Sequence, residues 1–405
     1  MNARVPRFTG KDYMDASTQK GPSTPIVLLL LWSTGLYLRL TVLVAPPLAP
    51  RIARDLDLGE AATGALTTLP ILMLAVAGLA ASWLISRIGA RRTLIAALVL
   101  VALSSSARGL GDVAALFSAT AIMGVAIAGI QPALPTLLTE WWPSRIALGT
   151  AVYMNGMLVG EVIGSTLTLP VMLPLAEDDW RLALVFWSLP ALIPALGVRL
   201  LSRPWQRDGD DSGHWLPDWR KPLVWQLGIL LGASGSIFFG TNAYMGTVLA
   251  GRGDGDLLTE ALVMFNTTQL LASALMFWLG RYWIGRAMPL MILMGVGLCG
   301  LTGFVLLPGW LGLATLVPTG LAAGMLLILM VALPPLYTRG TDTAALAATM
   351  FAIGSITNFF VPLLGGMVAD ITDTPPLAIL PILLYGAVAL PVVRRLPERP
   401  DLSQE

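Results

Sequence analysis

The sequence is poor in the residues on which most enzymes and nucleic-acid-binding proteins depend. Only 12% of its 405 residues are charged, about half of the roughly 25% usual for soluble globular domains. There is one cysteine, Cys299, and one histidine, His214, which sits in a polar stretch. A lone cysteine can form neither an internal disulfide nor a cysteine zinc cluster. One histidine and no clustered carboxylates exclude most metal-site and triad chemistry, so the reading is of a non-enzyme with no cofactor and no metal. The net charge of +1 leaves no large basic surface for a nucleic-acid partner. The glycine-rich Gly251–Gly255 segment has no following lysine and no strand–helix context. It is therefore not a phosphate loop, and no nucleotide drive is indicated.

What the chain has instead is hydrophobicity, at 56% of residues. A membrane-crossing helix needs about 20 mostly apolar residues. Twelve such stretches are read, at 25–49, 61–85, 92–109, 113–139, 146–174, 181–201, 221–249, 258–283, 287–307, 310–337, 343–369 and 376–396. The expectation is an all-α membrane protein, multi-pass in the lipid bilayer. The same number of buried core helices in a soluble protein of this length has no precedent among packed layers. Residues 1–24 read as a cytoplasmic tail and not a signal peptide, because the apolar run after them is too long and lacks a cleavage site. Residues 203–219, with Arg203, Arg207, Asp208, Asp210, Asp211 and Pro217, read as a cytoplasmic linker. It separates a six-helix bundle over 25–202 from a second over 220–396, and 397–405 forms a second tail.

Basic residues set the orientation. With the N-terminus inside, 19 lysines and arginines fall on inner segments, 5 on outer loops, and one, Arg39, within the first span. That bias places both termini in the cytoplasm, in a cell inner membrane, and requires an even number of spans. The halves also echo each other: Ser86-Arg87-Ile88-Gly89-Ala90-Arg91-Arg92 follows the second span as Tyr282-Trp283-Ile284-Gly285-Arg286 follows the eighth. Pseudo-symmetric repeats of this kind hold substrate near the midplane, between the halves.

The segment from Ser82 to Arg92 resembles the glycine–acid–basic–glycine–basic signature of the major facilitator superfamily. Arg87, Gly89 and Arg91 fall on the pattern and form the expected gating loop. Ser82 stands where the signature has its first glycine and Ser86 where it has aspartate. The usual charge lock between the halves is therefore not expected at that loop. Within the superfamily the chain resembles the cyanate permease and 2-nitroimidazole exporter group. The resemblance rests on Leu38-Arg39 with Val44-Ala45-Pro46-Pro47-Leu48, on Gly64 to Pro70, on Gly129-Ile130-Gln131-Pro132 with Pro135, and on Tyr153-Met154-Asn155-Gly156. It implies alternating-access transport of a small polar or anionic solute by a monomer, through a cavity lined by spans 1, 4, 7 and 10.

Two charged residues stand out inside the spans. Arg39 lies about 14 residues into the first, roughly 21 Å from its inner end at about 1.5 Å per residue. A central arginine costs about 2.5–3.5 kcal/mol on insertion scales. It reads either as an anion-binding counter-charge or as half of a structural ion pair. Glu161 lies at a matching depth in the fifth span. It could pair permanently with Arg39, carry a proton, or touch substrate. Burial and a nearby arginine pull a carboxyl group's protonation in opposite directions, which makes a switchable pair with Arg39 and proton coupling the favoured reading. Tyr37, Gln131, Tyr153, Asn155, Asn242, Tyr244 and Asn358 are the neutral substrate-binding candidates, because buried polar groups need partners. Gln269 and Asn266 are further polar residues within spans. Gly156, Gly160 and Gly164, four apart, suit close helix packing, with an echo of antiporter motifs. Proline pairs at 46–47 and 334–335, with Pro132 and Pro135, are expected to interrupt spans 1, 10 and 4. Arg108 reads as a snorkelling residue or a loop ion pair with Asp112. The second functional reading is a proton-driven exporter of small nitro-heterocyclic or aromatic compounds, with Arg39 and Glu161 then structural.

Overall fold

The computed structural model describes residues 24–141, 146–201, 219–337 and 341–397. The N-terminal tail, almost all of the 203–219 linker and the end of the chain lie outside the described residues, as do the side chains of Ser82 and Ser86. Among the described residues every regular element is helical. In chain order these are α1 (Thr24–Leu36), α2 (Leu40–Leu43), α3 (Ala45–Leu56), α4 (Glu60–Ile88), α5 (Ala90–Ala107), α6 (Val113–Trp141), α7 (Ile146–Thr166), α8 (Leu173–Leu175), α9 (Trp180–Ser188) and α10 (Leu192–Leu201). They continue as α11 (Pro222–Gly251), α12 (Leu258–Trp283), α13 (Ala287–Leu306), α14 (Gly309–Val331), α15 (Pro334–Tyr337), α16 (Thr341–Thr372) and α17 (Leu380–Val393).

Among the described residues ten helical segments are long and apolar enough to cross a membrane, or eleven if the bent pair Leu148–Thr166 and Thr168–Leu175 is one span. The remaining expected span corresponds to α12, which has 26 residues and carries Asn266 and Gln269 in its middle. The 57° bend after α7 falls where a π-turn, Thr168–Met172, interrupts the helix. Pro170 removes a backbone donor there. The hydroxyls of Ser165, Thr166 and Thr168 bond back to carbonyls of Glu161, Val162 and Gly164, a pattern that bends helices.

The first span, Pro25–Leu56, is broken twice, once before the prolines and once at them. Regular helix stops at Leu36 and resumes at Leu40, with Arg39 at the junction. A second interruption falls at Val44, as the proline pair suggested, and Pro46 and Pro47 lie in the first turn of α3, where their missing donors cost little. Pro132 and Pro135 lie within a continuous α6, whereas the Pro334–Pro335 pair does follow a break after Val331. Arg108 departs from expectation as well. It is only 2% exposed, and its Nη1 donates to the Thr41 carbonyl at 3.1 Å. Asp112 instead accepts the Ala115 N–H as a helix cap. Arg108 thus ties α5 to the short segment immediately after the break.

Helices before residue 202 meet those after 218 where α4 packs on α16 and α11, α3 on α11, and α7 on α12. Within the first set, α1 lies backbone-to-backbone on α7. A Cβ at Gly156 or Gly160 would collide with the carbonyl oxygens of Trp32 and Leu36, so glycine is required for the approach. The α4–α16 line is bolted at one end. Asp370 Oδ1 accepts the Glu60 N–H at 2.7 Å and Oδ2 the Ala61 N–H at 3.1 Å, capping α4 from the last turn of α16. Unpaired N–H groups and the positive end of the helix dipole both favour a carboxylate at this position. Beside it Thr247 Oγ1 donates to Glu60 Oε2 at 2.6 Å. The Tyr244 hydroxyl donates to the Pro362 carbonyl at 2.7 Å.

Two outcomes follow. Gly160→Leu should destabilise the protein by at least about 1–3 kcal/mol, the usual cost of overpacking, seen as a lower thermal midpoint; an unchanged midpoint would contradict the contact. Asp370→Ala should loosen this end of the α4–α16 line. With Cys299 replaced and Thr247→Cys as reporter, maleimide labelling should become several-fold faster than in the Asp370 background. An equal labelling rate would show that the cap does not hold the seam.

Candidate functional site

The bolted end has a counterpart. Between the two sets of helices lies a cavity of about 400 Å³ that reaches to Trp219, just before α11 begins. Its walls follow helical stripes. On α11 these are Leu231, Ser234, Gly235 and Phe238, on α4 Ile71, Leu74, Ala75 and Gly78, and on α16 Ala348, Ala352, Ser355 and Asn358. Spacings of three and four place each set on one helix face. Most of the wall is apolar, with a few polar groups set into it, as in sites that bind small molecules.

Arg39 and Glu161 both line this cavity. The guanidinium is delivered by the break between α1 and α2, an irregularity tolerated at such places because it borders a cavity and not lipid. Arg39 sits over the Phe239 ring, 4.7 Å from its centroid, within cation–π range. Its Nη1 is buried with no hydrogen-bond partner. Glu161 is 4% exposed and near enough to feel the charge of Arg39. No ion pair within 4.0 Å joins the two, whereas such pairs do form at the surface between Arg51 and Asp178 and between Arg181 and Asp55. A guanidinium turned into a cavity without a bonded carboxylate is costly to keep there.

The neutral candidates divide. Gln131 and Asn358 line the cavity, and Asn358 Oδ1 accepts from Ser236 at 3.4 Å. Gln269 joins them, its amide nitrogen donating to the Gly320 carbonyl at 3.1 Å. The other five lie elsewhere, each for a local reason. Tyr37 is two residues from Arg39 but turned away, with its hydroxyl donating to the Trp187 carbonyl at 3.5 Å. Tyr153 is buried where α7 meets α1, its carbonyl against Gly35. Asn155 accepts the indole N–H of Trp32 at 3.0 Å. Asn242 and Asn266 satisfy each other through two amide hydrogen bonds, at 3.2 and 2.9 Å. Tyr244 belongs to the bolted end. Polarity within a span was a correct sign of a needed partner, but in these five the partner is protein.

Cavity residues beyond those candidates are Ser234, Phe238, Phe239, Thr349 and Ser355. The stripe at 231, 234, 235 and 238 was the signal available for α11. In the loop after α4, Gly89 takes φ +85°, which only glycine adopts readily. Arg87 lies over the Trp83 ring at 5.5 Å, and Arg91 donates to the Arg199 carbonyl. Among the described residues no group of three or more metal-ligating side chains converges.

Comparison with known proteins agrees with this architecture. The chain is 30% identical over 247 residues to the 2-nitroimidazole transporter of Escherichia coli K12, covering 59% of this chain and 62% of that protein. It is 27% identical over 221 residues to the uncharacterized transporter YycB of Bacillus subtilis 168, covering 54% of that protein. These two matches thus span less than two thirds of either relative. The cyanate transport protein CynX of Escherichia coli K12 is 26% identical over 350 residues, 85% of this chain and 90% of that one. Among solved structures, a bacterial homolog of the human lysosomal transporter Spinster, in an inward-facing and occupied conformation, superposes with TM-score 0.76 at 15% identity. That match covers 93% of this chain and 97% of the other, and it speaks for the fold. The Major Facilitator Superfamily pattern matches residues 30–356, and the chain belongs to that superfamily of transporters.

Proposed function

We propose that the protein is a secondary active transporter that moves a small polar, anionic solute across the inner membrane by alternating access. In this reading twelve spans form two six-helix halves with both termini cytoplasmic, with α12 and the bent α7–α8 unit each counted as a span. The observation that carries the reading is Arg39, held in the cavity at a helix break with Nη1 unpartnered. A guanidinium offers a forked set of donors matched to planar anions. Gln131, Asn358 and Gln269 supply orienting hydrogen bonds. The likeness to CynX over most of both chains supports an anion. Glu161 is the coupling group: a bound anion competes for the field of Arg39, and the carboxylate then takes a proton. The cavity reaches the Trp219 end, on the cytoplasmic side of this topology, so the Asp370 cap closes the outside. The chain works as a monomer and carries out no catalysis. The second reading, export of a small nitro-heterocycle, has a specific support in the match to the 2-nitroimidazole transporter and in the phenylalanines of the wall.

Arg39→Ala should remove binding of anions by a protein that remains folded and monodisperse, with partial recovery in Arg39→Lys. Normal affinity in the alanine variant would rule out the anion site. Glu161→Gln should flatten the pH dependence of uptake into proteoliposomes, which in the unaltered protein should rise as external pH falls. If the pH profile of the glutamine variant matches that of the parent, Glu161 is not the coupling group.

A further inference from the structure

The shape and aromatic content of the cavity say more about the anion than its charge. A triatomic anion fills about as much space as one or two waters, of roughly 30 Å³ each. The cavity, at about 400 Å³, is several-fold larger. Its wall combines polar groups, Gln131, Ser234 and Asn358 among them, with aromatic surface. Beside Arg39 it is bounded by two adjacent phenylalanines, Phe238 and Phe239, which meet edge-to-face with centroids 5.1 Å apart. Phe238 is fixed from behind by Phe265, stacked at 5.6 Å and 16°, and Phe265 is fully buried. These rings are therefore preset surfaces and not mobile filler.

The Phe239 face holds the guanidinium by charge–quadrupole attraction, but a π-face does not satisfy the buried Nη1 donor. Arg39 is thus held in place by one group and left short of a hydrogen-bond acceptor by the same arrangement. A ligand completing the site must bring an acceptor to the guanidinium fork and apolar surface to the phenylalanines. A carboxylate conjugated to a flat ring does both. Its oxygens accept in the guanidinium plane, and its ring packs edge-on or offset against Phe238 and Phe239, the geometries aromatic pairs favour.

Resting on the anion reading above, we infer that the substrate class is a flat aromatic or heteroaromatic monoanion, with its charged group on Arg39 and its ring against Phe238 and Phe239. Small inorganic anions fill only the charged end of this site. Phe239 is the specificity-determining residue, because it touches both the guanidinium and the ring.

The test is equilibrium binding to the purified full-length protein with three probes: benzoate, formate and benzyl alcohol. They separate the whole ligand from its charge alone and its ring alone. Benzoate should bind at least tenfold more tightly than either of the others. Phe239→Leu should weaken benzoate at least fivefold and leave formate within twofold, and Arg39→Gln should abolish benzoate binding. Formate binding as tightly as benzoate, with both lost in Arg39→Gln, would overturn the aromatic inference and leave the anion reading intact. Binding of benzoate undiminished by Arg39→Gln, or no binding of either anion, would overturn both. Should Phe239→Leu fail to fold, the ratio of benzoate to formate affinity in the unaltered protein, together with Phe238→Leu, still decides.

Discussion

A positive charge held inside a membrane protein without a bonded carboxylate is the constraint around which the rest of this molecule is arranged. Removing a guanidinium from water costs several kcal/mol even after relaxation, and the donors of Arg39 are not met by an ion pair. The chain lowers that cost in three ways. It breaks the first span so that the side chain enters a cavity. It places the Phe239 ring under the charge, and it sets Glu161 within electrostatic reach without contact. The break is itself braced, because Arg108 takes the Thr41 carbonyl two residues beyond Arg39 and the Gly156–Gly160 face of α7 presses against the end of α1.

The two sets of helices are in contact along α4–α16 and α7–α12, and one end of the first line is capped by a carboxylate on helix N–H groups. The superfamily's usual acidic residue in the loop after α4 is serine here. The observed cap lies at the opposite end of α4 from that loop, carried by Asp370. In the proposed alternating-access cycle, a cap of two charge-assisted hydrogen bonds is weak enough to be outweighed by differential ligand binding of a few kcal/mol.

Much of this was legible in the sequence. Low charge and long apolar runs made a helical membrane bundle the only economical reading. Arg39 and Glu161 stood out because ionisable residues are expensive in spans, and they now share one cavity with Gln131 and Asn358. The break in the first span was less legible. The prolines at 46 and 47 pointed to the interruption at Val44 but not to the one at Tyr37–Arg39, where no proline stands. Tyr37, Asn155, Asn242 and Tyr244 were polar for local reasons, because residue type reports the need for a partner and not its direction. Ser234 and Phe238 were visible as a stripe but carry little polarity to draw notice. Asp370 was hidden at the edge of a span, where an acidic residue looks like ordinary loop chemistry, and only the fold brings it to residues some 310 positions away.

The central claim is that Arg39 is an anion site and not one half of a permanent ion pair with Glu161. Exchanging the two charges, in the double variant Arg39→Glu with Glu161→Arg, separates these most directly when transport is measured in proteoliposomes alongside thermal stability. The account predicts a folded protein that transports nothing, because the cation has left the position opposite Phe239. Transport restored to near the level of the unaltered protein would contradict it, and would make the two residues a structural pair.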